Sequence, residues 1–399
     1  MKRSTDRILT THAGSLPRPD DLRELVTAKA SGEPYDQARF ASRVRSAVGE
    51  VVQQQRQSGV DVLNDGEFGK SNFSNYARER LSGFEERAVK PGEAHRIGIS
   101  GRDVQEFPEY FVEHGGFAGT SVTGASINRR LIGARNERTE LVCSGPLKYI
   151  GQAEIQRDIE NFKAALQGAS PADVFLPAVA PGTIEHWLIN DHYPSDEAYL
   201  AAIADAMHEE YKAITDAGFI LQIDDPDLPD AWQMHPEMSV ADYRRFAELR
   251  IDALNHALRD LPEDQVRLHV CWGSYHGPHK HDIPLKDIVD IVLKVRARAY
   301  SVEAGNPRHE HEWKVWKGTK LPEGKILIPG VVGHSSDFIE HPELVAERLV
   351  RFAEIVGREN VIGGTDCGLG GRVGHPSIVW AKLQALAEGA ELASEELWG

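Results

Sequence analysis

The chain has only three cysteines in 399 residues, Cys143, Cys271 and Cys367. So odd and sparse a set builds no disulfide framework and points to a reducing cytoplasm. Long apolar runs are missing too, and no segment approaches the length of a membrane span. The start, Met1-Lys2-Arg3-Ser4-Thr5-Asp6-Arg7, lacks the apolar stretch of a signal peptide, so a cytoplasmic protein is expected. Positive charge is in deficit: 45 Lys and Arg face 61 Asp and Glu, a formal net charge of -16. That balance opposes binding to nucleic acid or an anionic membrane, whose phosphates need basic surface. Small molecules are the expected partners. With 41% hydrophobic and 27% charged residues the chain can bury a large core. No repeat, low-complexity tract or linker interrupts it, so a single domain over residues 1–399 is expected.

What is present is a rhythm of short β-branched runs followed by amphipathic helices. The strand candidates are 8–13, 60–65, 174–179, 219–224, 266–271, 299–303, 325–332 and 361–366. Helical periodicity covers 195–216, opened by the N-cap candidate Ser195, and 239–258, 286–298 and 341–356, the last with Pro342 in its first turn. Eight strands alternating with helices predict a (β/α)8 TIM barrel. The rhythm breaks after the second strand. The stretch from about 84 to 150 reads as a long excursion that ends in an extra strand at 139–149, and a helix at 152–166 follows it. It is expected to be a hairpin lying over the barrel mouth.

Barrel active sites lie at the C-terminal ends of the strands. There the sequence places His269 and Cys271 in Leu268-His269-Val270-Cys271, Glu303 in Val302-Glu303-Ala304, and Cys367 in Asp366-Cys367-Gly368. Residues i and i+2 of a strand share a face, so His269 and Cys271 aim at one point. A lone His-x-Cys more often only packs, because free cysteine is among the most buried residue types. Here the four residues share one end of the barrel, and His, two Cys and a carboxylate suit zinc. Cys143, in the excursion, reads as a small buried hydrophobe. The other strand ends carry Ser15, Asp65, Glu67, Asp224, Asp225, His334 and Asp366, several of which could simply shape turns. Two histidine clusters, His276, His279 and His281, then His309 and His311, follow the ligand-bearing strands. They read equally as pocket lining or as structure, and a second metal is a lesser alternative.

At these positions the chain resembles the catalytic barrel of the cobalamin-independent methionine synthase family. The family's zinc pattern, H-x-C, then Glu, then Cys in D-C-G, matches His269, Cys271, Glu303 and Cys367. Its thiol amino-acid pocket matches Gly14-Ser15, Gly66-Glu67 and Ile223-Asp224-Asp225-Pro226, and its proton-donating H-S matches His334-Ser335. The resemblance implies that Glu67 and Asp224 take a substrate ammonium and Ser15 its carboxylate. It implies Zn2+ as cofactor, with Glu303 the ligand that yields to an incoming thiol. The methyl donor it implies is a methylated folate such as methyltetrahydrofolate, on whose ring Trp187 is a candidate to stack.

The chain departs from the long form of that family, which carries a second barrel, and in the excursion and the His-rich loop. In this it resembles a single-barrel branch that includes the epoxyalkane–coenzyme M transferases. The leading expectation is methyl transfer to homocysteine, giving methionine. The alternative is opening of an epoxide by a zinc-bound thiolate. Coenzyme M would bring a sulfonate, for which Arg18 and Lys70 are the candidate counter-charges. A non-catalytic zinc protein is disfavoured because structural zinc ligands come as close pairs in small modules, and a metal-dependent hydrolase because two cysteines are unsuited to it.

Overall fold

The structure, a computed structural model, describes residues 1–72, 76–88, 101–113 and 139–399. In chain order the strands are β1 (Leu9–Thr10), β2 (Val62–Leu63), β3 (Phe84–Ala88), β4 (Thr139–Cys143), β5 (Asp173–Val179), β6 (Ile189–Asn190), β7 (Ile220–Asp224), β8 (Val266–Val270), β9 (Ala299–Val302), β10 (Ile326–Val332) and β11 (Ile362–Thr365). Eight of them form one sheet in the order β1-β11-β10-β9-β8-β7-β5-β2, and every pairing in it is parallel. At the seam between β1 and β2 a side chain stands in for ladder bonds. Asp61 N–H donates to Thr10 O at 3.2 Å, and the Asp61 carboxylate accepts Thr10 N–H at 2.9 Å. The result is the expected (β/α)8 TIM barrel.

All eight expected barrel strands are present; β5 starts one residue early, and the other ends are trimmed by zero to three residues. Helix Asp196–Asp216 is capped by Ser195, whose side chain accepts the Ala198 N–H. Helix Val240–Ala257 opens with a reciprocal capping box between Ser239 and Asp242. The helix expected over 286–298 is instead a 3-10 turn, Leu285–Asp287, and one short helix, Val289–Val292. Its apolar residues Ile288, Val289, Ile291, Val292 and Val295 are all buried, so tertiary burial rather than helical amphipathicity set their spacing. No helix among the described residues is long and apolar enough to cross a membrane.

The described part of the excursion is partly the expected hairpin. β3 pairs antiparallel with β4, but β4 ends at Cys143 rather than 149, and β6 joins it in parallel to make a three-stranded sheet. Residues 89–100 and 114–138 of the excursion lie outside the described residues. Two short helices between them, Arg102–Glu106 and Pro108–Glu113, sit against the loop that follows β8. Asp103 accepts the N–H groups of Lys280 and His281 at 3.1 and 3.0 Å. Tyr110 donates to His276 O at 2.8 Å. The excursion therefore does reach the barrel mouth.

Its root is fixed by a buried ion network. Arg80 donates to Asp158 and, at 3.1 Å, to Glu210. Tyr76 and Tyr149 donate to the same Glu210 carboxylate at 2.8 and 2.7 Å. Arg80 side-chain exposure is 3%, and that of Glu210 is 0%. Truncating the guanidinium strands two carboxylates away from water. Arg80→Met should therefore cost about 3–5 kcal/mol in urea unfolding. A loss under about 1 kcal/mol would place the network among interactions of exposed strength.

Candidate metal centre and pocket

Parallel register brings the soft side chains together. His269 on β8 pairs with Ser301 on β9, and its Nδ1 lies 3.1 Å from Ser301 Oγ. If Nδ1 carries the proton and donates it in a hydrogen bond to Ser301 Oγ, Nε2 is left with its lone pair free, the second-sphere arrangement of a metal-binding imidazole. Nε2 is buried without a hydrogen-bond partner among the described residues. Cys271 follows β8 and Cys367 follows β11, and ligand atoms of His269, Cys271 and Cys367 all lie within 4.8 Å of one another. The two sulfurs are 3.5 Å apart and not bonded as a disulfide. Thiolates on a tetrahedral zinc, at Zn–S distances near 2.3 Å, stand about 3.8 Å apart. The donor set, the spacing and the orphaned imidazole nitrogen all fit zinc.

The hydrogen bond from Cys271, with His269 and His334 nearby, holds the Cys367 thiol well below the usual thiol range against the pull of burial. Sharing that proton, together with burial, pushes Cys271 well up. Between the two sulfurs, the shared proton is thus favoured on Cys271 over Cys367. Cys143, by contrast, is buried in β4, and burial raises its pKa.

Glu303 does not join the trio. Its carboxylate accepts the Trp272 N–H at 2.9 Å and the Asn306 amide, and it groups instead with His334 and Asp366. Asp366 is a turn former, accepting the N–H groups of Ala304 and Gly305 at 2.8 and 2.7 Å. His334, 2% exposed, has no partner on either ring nitrogen among the described residues. Burial lowers its pKa to about 4, so it is a neutral imidazole rather than one poised near neutrality.

One of the two acids lies beside the trio in register, Asp224 on β7 pairing with His269 on β8. Glu67 and Asp224 are both buried. Burial and then Asp224 push Glu67 up to about 8. Burial pushes Asp224 up to about 6, opposed by His269 and Lys70. Glu67 adopts φ 62° and fits because residue 14 is glycine: a Cβ there would lie 2.4 Å from Glu67 Oε1. Gln222 holds Asp224 with a 2.6 Å bond and is itself held by Arg267, also at 2.6 Å. Ser15 is joined to the Cys367 loop, its carbonyl accepting the N–H groups of Leu369 and Gly370, each at 3.0 Å. Arg18 donates to the carbonyls of Glu67 and Lys70 at 2.7 and 2.8 Å, and Lys70 donates to Pro177 O, so both are committed to backbone. Trp187, half-buried, gives its N–H to Asp227 at 3.2 Å.

The histidine clusters are mostly structural. Asp282 accepts from His279 at 2.9 Å and from His309 at 3.0 Å, and His309 also meets Glu312 at 3.0 Å. Burial opposes the charge on His309, but those carboxylates push it up to about 10. Its ring stacks on Trp272, with centroids 4.1 Å apart. His281 pairs with Glu106. Among the described residues neither cluster forms a group that could hold a metal. Sequence reading passed over Asp103 and Arg372; the only local signal for the latter is a lone cation in the Gly-rich loop after Cys367.

Fold and site together define a barrel enzyme class that gathers a soft metal cradle and buried carboxylates at its C-terminal mouth. The chain belongs to the cobalamin-independent methionine synthase family: the model of the cobalamin-independent synthase catalytic domain matches residues 8–91 and 178–391. It is 24% identical over 390 residues to a methionine synthase of Thermococcus kodakarensis, covering 97% of this chain and 94% of that one. It is 25% identical over 391 residues to one of Sulfolobus acidocaldarius, covering 97% and 93%. In structure it is similar to a B12-independent methionine synthase from a Shewanella species, with TM-score 0.71, 20% identity, and 98% and 99% of the two chains covered.

Two outcomes are expected. Elemental analysis of Cys271→Ser and Cys367→Ser should show loss of bound zinc, and Cys143→Ser should keep it; full occupancy in the first two would remove the site. The second concerns Glu67, pushed up to about 8 from an ordinary value of 4.5. The stability such a group contributes is present below about pH 4.5 and is lost as pH rises through its folded pKa. Glu67→Gln should therefore raise the melting temperature relative to the native protein more at pH 9 than at pH 5. An equal difference at both would mean an ordinary carboxyl.

Proposed function

We propose that this chain, as one catalytic domain, is a zinc-dependent thiol alkyltransferase that moves a methyl group from a methyl-folate to homocysteine. The observation that carries the reading is the His269, Cys271 and Cys367 cradle beside the buried Glu67 and Asp224 pair. The relatives named methionine synthases support the choice of acceptor. Zinc held by His269, Cys271 and Cys367, with Glu303 as the exchangeable fourth ligand, would keep the substrate sulfur a thiolate at neutral pH, where a free thiol has a pKa near ~8.5. Glu67 and Asp224 would receive the ammonium of an amino-acid thiol. An arriving cation would draw Glu67 into its charged form, since opposite charge favours ionisation. Ser15 would meet the carboxylate.

His334 would move the proton. Being neutral, it can take the proton that the thiol gives up, then return it to the leaving atom of the alkyl donor as the carbon–sulfur bond forms. Asp366 and Asn306 would hold Glu303 in place at the edge of the site. Trp187 would offer an aromatic face to the donor ring.

A second reading, opening of a small epoxide by a sulfonate thiol such as coenzyme M, is favoured by one observation. Arg372 lies in the field of Cys367 and Cys271 and has a buried nitrogen without a partner among the described residues. Steady-state turnover with homocysteine and with coenzyme M, each offered methyltetrahydrofolate or epoxypropane, separates the two. Homocysteine with the folate is expected to give methionine. Turnover only with coenzyme M and epoxide would replace the acceptor and the donor. His334→Gln should lower turnover at least about a hundredfold, and an unchanged rate and pH profile would remove it from proton transfer. Silence with every thiol at full zinc loading would overturn the reaction.

A further inference from the structure

The ends of three neighbouring strands converge beside the sulfur cradle. Glu303 follows β9, His334 follows β10 and Asp366 follows β11, and these strands are adjacent in the sheet. One ligand-type atom from each lies within 4.8 Å of the other two, and all three residues are buried. His334 nonetheless makes no hydrogen bond through either ring nitrogen among the described residues. A buried polar atom left unpaired is costly, and native folds satisfy nearly all of them. An imidazole that stands so close to two carboxylates without bonding to either is spaced for something between them.

The carboxylates keep room for it. Asp366 Oδ1 takes the N–H groups of Ala304 and Gly305, whereas among the described residues its Oδ2 accepts only from Asn306, at 3.4 Å. Glu303 accepts one N–H on each oxygen, from Trp272 and from Asn306, and a carboxylate oxygen has two lone pairs. The space is built into the sheet: β10 carries glycine at 330, where a Cβ would lie 2.4 Å from Asp366 Oδ1. Two ligands on opposite sides of one ion, each about 2.1 Å from it, stand about 4.2 Å apart. A spread within 4.8 Å therefore closes on a single ion with small side-chain shifts.

The donor set differs from that of the cradle. One imidazole and two carboxylates, with no sulfur, suit a harder ion such as Mn2+, whereas thiolates select zinc. The two groups have no residue in common but share neighbours. Asp366 precedes Cys367, and the Trp272 N–H that holds Glu303 follows Cys271. We propose that Glu303, His334 and Asp366 form a second divalent-cation site and that an ion bound there arrests the reaction. The arrest, unlike the site, rests on the proposed function: an ion on these three residues takes His334 out of proton transfer and keeps Glu303 from the metal in the cradle. Lacking a thiolate, the site holds its ion more weakly than the cradle does and releases it on dialysis.

Paramagnetic resonance of free Mn2+ reads the site without turnover. Titration of the zinc-loaded protein with Mn2+ is expected to show one bound ion per chain, with a Kd below about 0.1 mM. His334→Ala and Asp366→Asn should each weaken that binding at least about tenfold while one zinc stays in place. Asp366→Asn keeps an acceptor for the Ala304 and Gly305 N–H groups and removes the charge, so it separates an ion ligand from a turn former. No bound Mn2+ at about 1 mM, or binding that either variant leaves unchanged, overturns the site; the second outcome would mean ions on the acidic surface. Should the variants lose fold or zinc, the native protein still decides. With NMR-active cadmium in the cradle, Mn2+ in the neighbouring site must broaden the cadmium resonance, and an unbroadened resonance at saturation overturns the site. Turnover should fall along the same Mn2+ binding curve, and full turnover at saturation overturns the arrest. If no thiol turns over at all, the proposed reaction fails, while the binding and resonance results still decide the site.

Discussion

The contact between the sulfurs of Cys271 and Cys367, 3.5 Å apart, is the constraint on which the mouth of this barrel depends. The two residues follow strands β8 and β11, which are separated in the sheet by β9 and β10. Side chains that far apart along a flat sheet could not touch, because neighbouring strands stand about 4.8 Å apart. They meet only because the sheet curls until its ends face each other. Closure of the seam by Asp61 and Thr10 therefore supports the candidate metal site from a distance. The turn after β9 is drawn in by the same geometry, since Asp366, next to Cys367, accepts the backbone of Ala304 and Gly305.

Charge is arranged around that contact with unusual density for so acidic a chain. Glu67, Asp224, Glu303 and Asp366 are all buried within one end of the barrel, and all are pushed toward their neutral forms. Burial is the first cause in each case. Such a site resists ionisation when no cation is present and accepts charge when one arrives. A metal dication and a substrate ammonium would complete it electrostatically, and the fold tolerates the wait in part because two of these carboxyls, Glu303 and Asp366, accept backbone N–H groups.

Much of this was legible in the sequence where the signal is local. The β-branched runs marked every barrel strand, Ser195 and Ser239 marked helix starts, and the spacing of His269 and Cys271 marked one face of a strand. Reading failed where the deciding partner is distant. The run 286–298 carries helix-like spacing, but burial on several sides breaks it into short turns. The roles of His279 and His309 were undecidable locally because their shared acceptor, Asp282, binds one from its own loop and one from the next. Arg18 and Lys70 looked like free cations near the pocket, yet backbone carbonyls claim both. Glu303 fell at the right strand end, but its orientation follows from the Trp272 N–H, which periodicity does not reveal.

The pairing of β1 with β11, Leu9 beside Ile362, has a consequence for the order in which the molecule is made. On the ribosome the first strand of the barrel must wait for the last. His269 and Cys271 emerge together, and Cys367 follows 96 residues after Cys271. Throughout that interval a passing metal ion meets only half a cradle, in a sheet that has not closed. A cradle of all three side chains can form only once β11 has been added, and a chain cut short of β11 would offer a metal just the His269 and Cys271 pair.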